Sequence, residues 1–366
     1  MTEKFNKVLL LADSGCRELA YEVYGHLSNM KVHGELKPFD HTDLYLNVFN
    51  NGEIESISDT NIRNRHVFVI KSSYVPKKRW KPAEEGGEGM PEMSQLESDV
   101  NQSYMEMFLV NDLLRRSSAK SITNIWPFMP YQRSDKKDMP RSPIAARLFA
   151  DLTEASGATR VININPHANQ IQGFYKIPFE TLHSEILFAE YLENNFPGLE
   201  GWSIWSPDAG GEKRAREVGK ALSLPVGIGS KDRPKPGEVS KILIPQGYNL
   251  RGNNAALIDD IGDTGGSLVK CALNLKEQGA KKIYALITHP ILSGKAKDLL
   301  NDNDIELVTT NTIPIKDIQN YPNIKVISVA YLLAESIKCV CNGESITEHL
   351  FDYRKYRAWK VQHGVQ

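Results

Sequence analysis

The sequence predicts an α/β fold organised as two domains, and three observations carry that reading. Apolar runs of strand length recur along the chain, and stretches with helical period lie between several of them. Leu268, Cys271, Ala272 and Leu275, for example, fall at i, i+3, i+4 and i+7 and so share one helix face. The chain has 366 residues, enough for two domains of ordinary size. Strands that alternate with helices point to parallel sheets in α/β layers.

The elements follow in order. Val8–Leu11 opens the chain as a strand, since the apolar run Val8 to Ala12 is too short for the core of a signal peptide. His66–Ile70, Ile122–Phe128 and Val161–Ile164 read as the next strands, followed by Ala255–Ile258, Ile283–Ile287 and Ile324–Val329. Ala255–Ile258 is the uninterrupted apolar run expected of a strand covered on both faces. The helix after it is expected to stop at Gly279, a normal C′ residue. Two segments stand apart. Ser72–Gln102 is rich in Pro, Gly and charge and reads as a long surface loop. "KDRPKPGEVSK" (Lys231–Lys241) contains two prolines, cannot be a helix interior, and reads as a basic loop. The basic, aromatic tail from Asp352 to Gln366 is expected to form a C-terminal helix.

Composition narrows the function. The chain is 41% hydrophobic and 24% charged with a formal net charge of -1, which argues against a broad nucleic-acid footprint. No apolar run approaches the roughly 20 residues that span a bilayer. The four cysteines form no CxxC pair and no disulfide framework, and Cys339 and Cys341 read as small buried hydrophobes. A cytoplasmic protein with neither nucleic-acid nor membrane partners is expected.

The densest chemistry lies in "AALIDDIGDTGGSLVKCAL" (Ala255–Leu273). Three acids, three glycines and two hydroxyls occupy the nine residues from Asp259 to Ser267. Gly262, Gly265 and Gly266 permit tight turns, and Thr264 and Ser267 supply hydroxyls at a helix start. Backbone N–H groups at such a terminus bind phosphate. Carboxylates repel phosphate, so the ligand must also carry hydroxyls that donate hydrogen bonds to them. A sugar phosphate meets both demands, and magnesium would offset the acids further.

"LIDDIGDTGGS" resembles the ribose-phosphate loop shared by phosphoribosyltransferases and ribose-phosphate pyrophosphokinases. The resemblance implies that Asp263, Thr264, Gly265, Gly266 and Ser267 hold the 5-phosphate, and Asp259 and Asp260 the 2- and 3-hydroxyls. "PYQRSDKKDMPRSP" (Pro130–Pro143) is similar to the ATP motif of the pyrophosphokinases, which salvage phosphoribosyltransferases lack; Ser134 stands where that motif has Gln. "NINPHANQIQGFY" (Asn163–Tyr175) resembles the element that places His167 on the magnesium-ATP phosphates, with Asn165 in place of the usual Asp. "VFNNGEIE" (Val48–Glu55) is similar to the element in which Phe49, Asn51 and Glu53 reach the adenine from a neighbouring subunit. "SPDAGGEKRA" (Ser206–Ala215) matches a segment whose Asp208 approaches sugar or metal. "GSKDRPKPGEV" matches the catalytic loop, with Lys231 and Arg233 at its cation positions.

These motifs run in the family's order from about Lys7 to Phe351, with an expansion within Tyr74–Val100 and a tail after Phe351. The resemblance implies two phosphoribosyltransferase-like domains, residues 1–183 and 184–351, with 352–366 as a tail. It implies that Lys231, Arg233 and His167 are catalytic, that Arg133 and Asp138 join Phe49, Asn51, Glu53 and His167 on ATP, and that His167 and Asp208 face Mg2+. It further implies dimers or hexamers with active sites at subunit interfaces. The expected reaction transfers pyrophosphate from magnesium-ATP to the C1 hydroxyl of ribose 5-phosphate, giving AMP and the 1-pyrophosphorylated sugar. A larger acceptor containing ribose 5-phosphate, such as ADP-ribose, and a non-catalytic regulatory homologue remain as alternatives.

Overall fold

The structure is a computed structural model that describes residues 8–12, 16–30, 45–58, 60–72, 100–229, 242–243 and 249–363. The chain divides into two compact units, Met1–Leu182 with Ala330–Ser345, and His183–Val329 with Ile346–Gln366. The segment Ala330–Ser345 thus belongs to the first unit.

The first unit contains β1 (Val8–Ala12), α1 (Arg17–Asn29), β2 (Tyr45–Val48), β3 (Ile54–Ile57), β4 (His66–Ile70), α2 (Val100–Arg116), β5 (Ser121–Trp126), α3 (Ala145–Ser156), β6 (Arg160–Ile164) and β7 (Phe179–Leu182). Its five-stranded sheet has the order β1-β4-β5-β6-β7 and every pairing is parallel. β2 and β3 form a separate antiparallel hairpin. Leu9, Leu11 and Val67 are fully buried, as parallel strands covered on both faces require.

The second unit contains α4 (Glu185–Asn195), β8 (Trp202–Ser206), α5 (Glu212–Leu222), β9 (Val226–Gly229), β10 (Ile242–Leu243), β11 (Asn254–Gly262), α6 (Gly266–Glu277), β12 (Lys282–Pro290), α7 (Ala296–Asp302), β13 (Ile305–Thr310) and β14 (Ile324–Ile327). Its seven-stranded sheet runs β10-β9-β8-β11-β12-β13-β14, parallel except for the β9/β10 edge. The next helix, α8 (Ala330–Asn342), returns to the first unit, where it packs on α1. His26 and Tyr331 meet there edge to face, with ring centroids 5.6 Å apart. α9 (Thr347–Leu350) and α10 (Tyr353–His363) close the second unit.

All seven apolar runs read from the sequence coincide with strands, although Ile122–Phe128 and Ile324–Val329 each run two residues past theirs, and the helix on Leu268, Cys271, Ala272 and Leu275 is α6, with those four residues buried. Together with Leu257, Ala285 and Leu307 they fill the core of the second unit. Burying each of these leucines contributes about 1.5–3 kcal/mol. Trp205 of β8 is also fully buried, and it fits because its register partner on β9 is Gly227. A β-carbon there would stand 2.1 Å from the indole ring. The tail is a docked helix: Tyr356 of α10 is buried, Lys360 Nζ lies 2.7 Å from Glu190 Oε1, and Arg357 Nη1 lies 2.7 Å from Glu193 Oε1. Of the four cysteines, Cys16, Cys271 and Cys339 are buried, and Cys341 is half-buried. No helix among the described residues is long and apolar enough to cross a membrane.

Candidate active site

In the second unit, β11 carries its apolar run through the sheet and delivers Asp259 and Asp260 near its C-terminal end. The expected strand stopped at Ile258. The pairing with β12 continues through Asp259 opposite Ile287 to Gly262 opposite Pro290, so both acids lie in the strand. Of the three glycines expected to turn the chain, only Gly265 takes left-handed backbone, at φ +76. Gly262 ends β11 and Gly266 begins α6. Gly265 caps that 12-residue helix with no side-chain hydrogen bond. The first-turn N–H groups and the positive end of the helix dipole are suited to an anion there, flanked by the exposed Thr264 and Ser267.

Asp263 has a different job from its neighbours. Its Oδ1 accepts the Ser293 hydroxyl at 2.6 Å, and its backbone oxygen accepts the Ser293 N–H at 3.0 Å. This double strap ties the loop to the turn after β12. Asp208 lies just beyond β8, where its Oδ1 accepts the Gly210 N–H at 2.8 Å and caps a short 3-10 turn. β8 and β11 are parallel neighbours, with Trp205 opposite Leu257. Asp208 and the paired acids therefore emerge at the carboxyl edge of one sheet, where α/β proteins bind ligands.

Burial and the adjoining charge of Asp260 push the Asp259 carboxyl up to about 7. Arg214 of α5 opposes that shift. Its Nη2 lies 3.0 Å from Asp260 Oδ2 and its Nη1 lies 4.0 Å from Asp259 Oδ1. Arg214 and Ser293 carry no local sequence signal as site residues. Arg214 sits inside the quoted "SPDAGGEKRA", but nothing local ties it to residues so far along the chain.

In the first unit, the loop from Pro130 to Pro143 follows β5 and is fastened from beneath. Tyr104 of α2 donates its hydroxyl to Pro130 O at 2.7 Å and stacks on Phe149 of α3, centroids 3.8 Å apart. Tyr131 also stacks on Phe149, with ring centroids 4.4 Å apart. The buried Gln132 accepts the His167 N–H at 2.9 Å, and the buried Asp135 accepts from Gln170 Nε2 at 2.6 Å. The ATP-like motif and the loop after β6 are thus joined. Arg133, Lys136, Lys137, Asp138, Arg141 and His167 all face outward and are exposed. Ser134 does structural work: its backbone oxygen accepts the Ala146 N–H at 3.1 Å near the start of α3. Asn165 is buried at φ +39, a backbone region that asparagine tolerates better than most residues.

The β2–β3 hairpin turns through Asn50, Asn51 and Gly52. Phe49 and Glu53 close it backbone to backbone at 2.8 Å, and Glu53 N–H donates to Asn51 Oδ1 at 3.1 Å. Phe49 is 45% exposed, a large aromatic held at a hairpin tip. Lys231 and Arg233 lie outside the described residues, as does nearly all of Tyr74–Val100.

Residues 8–157 match the model of the N-terminal domain of ribose phosphate pyrophosphokinase, and residues 212–352 match that of the phosphoribosyl synthetase-associated domain. The chain belongs to the ribose-phosphate pyrophosphokinase family. A ribose-phosphate pyrophosphokinase of Campylobacter jejuni is 40% identical over 299 residues, 81% of this chain and 87% of the relative. Ribose-phosphate pyrophosphokinase A of Dictyostelium discoideum is 35% identical over 349 residues, 95% of this chain and 99% of the relative. The crystal structure of phosphoribosylpyrophosphate synthetase from Mycobacterium smegmatis superposes with a TM-score of 0.77 at 31% identity, covering 92% of this chain and 99% of that one. The family members thus share both units, in the same order, with this chain.

Proposed function

We propose that the chain transfers pyrophosphate from ATP to the C1 hydroxyl of ribose 5-phosphate, giving AMP and phosphoribosyl pyrophosphate. The observation that carries this reading is the pairing of a helix-terminal anion site with two strand-end carboxylates in β11–α6. That combination fits a ligand bearing a phosphate and vicinal hydroxyls.

Gly265, Gly266 and the first-turn N–H groups of α6, with Thr264 and Ser267, bind the 5-phosphate. Asp259 and Asp260 accept hydrogen bonds from the 2- and 3-hydroxyls. Asp263 keeps the loop in shape through Ser293. Arg133, Asp138 and His167 serve ATP, and Phe49, Asn51 and Glu53 reach the adenine of a neighbouring subunit in a dimer or hexamer. The C1 oxygen attacks the β-phosphorus, and the bond from that phosphorus to the α,β-bridging oxygen breaks. AMP departs with the bridging oxygen and the C1 hydroxyl gives up its proton to water. Lys231 and Arg233 stabilise the charge that develops on the transferring group. Mg2+ is the implied cofactor. It favours oxygen ligands and substrate phosphates, so the Asp208 carboxylate suits it, while the His167 imidazole is better matched to phosphate oxygens. When bound it would neutralise charge on the triphosphate.

Phosphorus-31 NMR of a magnesium-ATP and ribose 5-phosphate mixture tests this. AMP and a new pyrophosphoryl ester in equal amounts are expected. Accumulation of ADP, which would mean transfer of the terminal phosphoryl group alone, would overturn the reading.

A further inference from the structure

The second unit contains ionisable side chains that the reaction above leaves without a task. Glu185 opens α4 and His183 precedes it; Arg214 and Glu217 lie on α5. Glu185 is only 5% exposed. Its Oε2 lies 3.7 Å from His183 Nδ1, and its Oε1 lies 4.0 Å from Arg214 Nε. The other end of the same guanidinium meets Asp260 Oδ2 at 3.0 Å and Asp259 Oδ1 at 4.0 Å. One arginine, its side chain 16% exposed, therefore stands between a buried helix-terminal glutamate and both acids at the end of β11.

We propose that Arg214 is a positioning residue for sugar binding: Glu185 steadies its Nε edge, and its Nη edge fixes Asp260 and Asp259 as acceptors for the vicinal hydroxyls. The proposal rests on the sugar-binding reading of those two acids. Adjacent carboxylates with little solvent repel each other, and a carboxylate that takes up a proton turns from acceptor into donor. A fixed positive charge beside them opposes that. Arginine suits the place because its guanidinium stays charged and its planar fork is rigid. Asp260 is then held at two points. Its Oδ1 accepts the Ile261 N–H at 3.0 Å and its Oδ2 faces Arg214.

His183, Glu185 and Glu217 also bring three metal-ligand atoms within 4.8 Å of one another. Positive charge is already supplied there, by Lys213 Nζ at 3.8 Å from Glu217 and by Arg214 beside Glu185. The group is therefore the footing of Arg214 and not a cation site.

Steady-state kinetics of the full chain, varying each substrate in turn, tests the proposal on Arg214→Met, Arg214→Lys and Glu185→Gln. Arg214→Met is expected to raise KM for ribose 5-phosphate by roughly thirtyfold or more, the scale of truncating one side of a buried charge pair. KM for ATP should stay within about twofold, and kcat should change far less than the sugar KM. Arg214→Lys should recover part of the loss, and Glu185→Gln should shift the sugar KM in the same direction by roughly threefold. An unchanged sugar KM in folded Arg214→Met, or an equal rise for both substrates, overturns the proposal. If Arg214→Met does not fold, an unchanged sugar KM in both other variants overturns it instead. A wild-type chain that cannot use ribose 5-phosphate at all would sink the sugar-site reading itself, a distinguishable outcome.

Discussion

The loop after β5 and the loop after β11 both follow central strands of parallel sheets, yet they handle charge in opposite ways. The first is held from beneath by Tyr104, Gln132, Asp135 and Gln170, and it turns Arg133, Lys136, Lys137 and Arg141 outward. Its ion pair between Lys136 and Asp138 spans 3.8 Å at about 70% exposure and contributes little. On the proposed reading, those exposed cations face the triphosphate. The second loop keeps acids inside, with Asp260 buried and Arg214 beside it, and on the proposed reading leaves the anion to backbone N–H groups. A chain of net charge -1 can thus hold two phosphorylated ligands by two means: exposed side-chain cations for the larger charge, and a helix terminus for the smaller.

The strongest break in this comparison comes from the proposed catalytic loop at Lys231 and Arg233. Lys231→Ala is expected to lower kcat by about 10²–10³-fold while ATP binding changes little, because it removes a charge that acts mainly on the transition state. Near-normal turnover would remove that loop from the mechanism. Next comes a crossed pair measured by substrate KM. Asp263→Ala, which cuts the strap to Ser293, should raise KM for ribose 5-phosphate by about tenfold or more and KM for ATP far less. Arg133→Ala should do the reverse. Equal effects on both substrates would erase the division between the loops.

A third experiment concerns Phe49. Phe49→Ala should raise KM for ATP by roughly tenfold, the scale of one lost aromatic stack on a base. If Phe49 serves a neighbouring subunit, mixing Phe49→Ala with Lys231→Ala should restore part of the activity that each lacks. A mixture no better than its parts would place Phe49 in its own subunit's site or in none.

Acidity distinguishes the sugar side in a gentler way. The Asp259 carboxyl is pushed up to about 7, while an unfolded aspartate titrates near ~3.9. The folded chain keeps this proton to higher pH than the unfolded chain, so the group's contribution to stability falls as pH rises through that window. Ligand-free melting temperature should therefore drop on going from about pH 5 to 8, and Asp259→Asn should flatten the drop. Sugar binding has the opposite dependence: hydroxyls donate to the ionised form, so KM for ribose 5-phosphate should rise as pH falls below that value. The smallest effect lies at the docked tail, where Lys360→Ala should cost about 0.5 kcal/mol in urea unfolding and leave kcat unchanged.

Much of the sugar loop was legible because its parts are contiguous. An apolar strand, two acids, a glycine-bearing turn and a helix start occupy one stretch from Ala255 to Leu273, and local rules read them in sequence. The strands that escaped notice carry polar or small residues in buried places. β8 has Ser203 between its tryptophans and Ser206 after them, β9 alternates with glycine, and β13 ends in Thr309 and Thr310, whose hydroxyls donate to Ile287 O and Thr288 O of β12. The supports of the site were illegible for another reason. Ser293 meets Asp263 across 30 positions, and Gln132 meets the His167 N–H across 35. The return of α8 to α1 likewise has no local signature.

The most direct measurement is AMP release from magnesium-ATP with ribose 5-phosphate and ADP-ribose offered separately. The account predicts rapid AMP release with ribose 5-phosphate and little with ADP-ribose, because the helix-terminal anion site accommodates a terminal 5-phosphate. AMP released with ADP-ribose alone, or with neither acceptor, would contradict it.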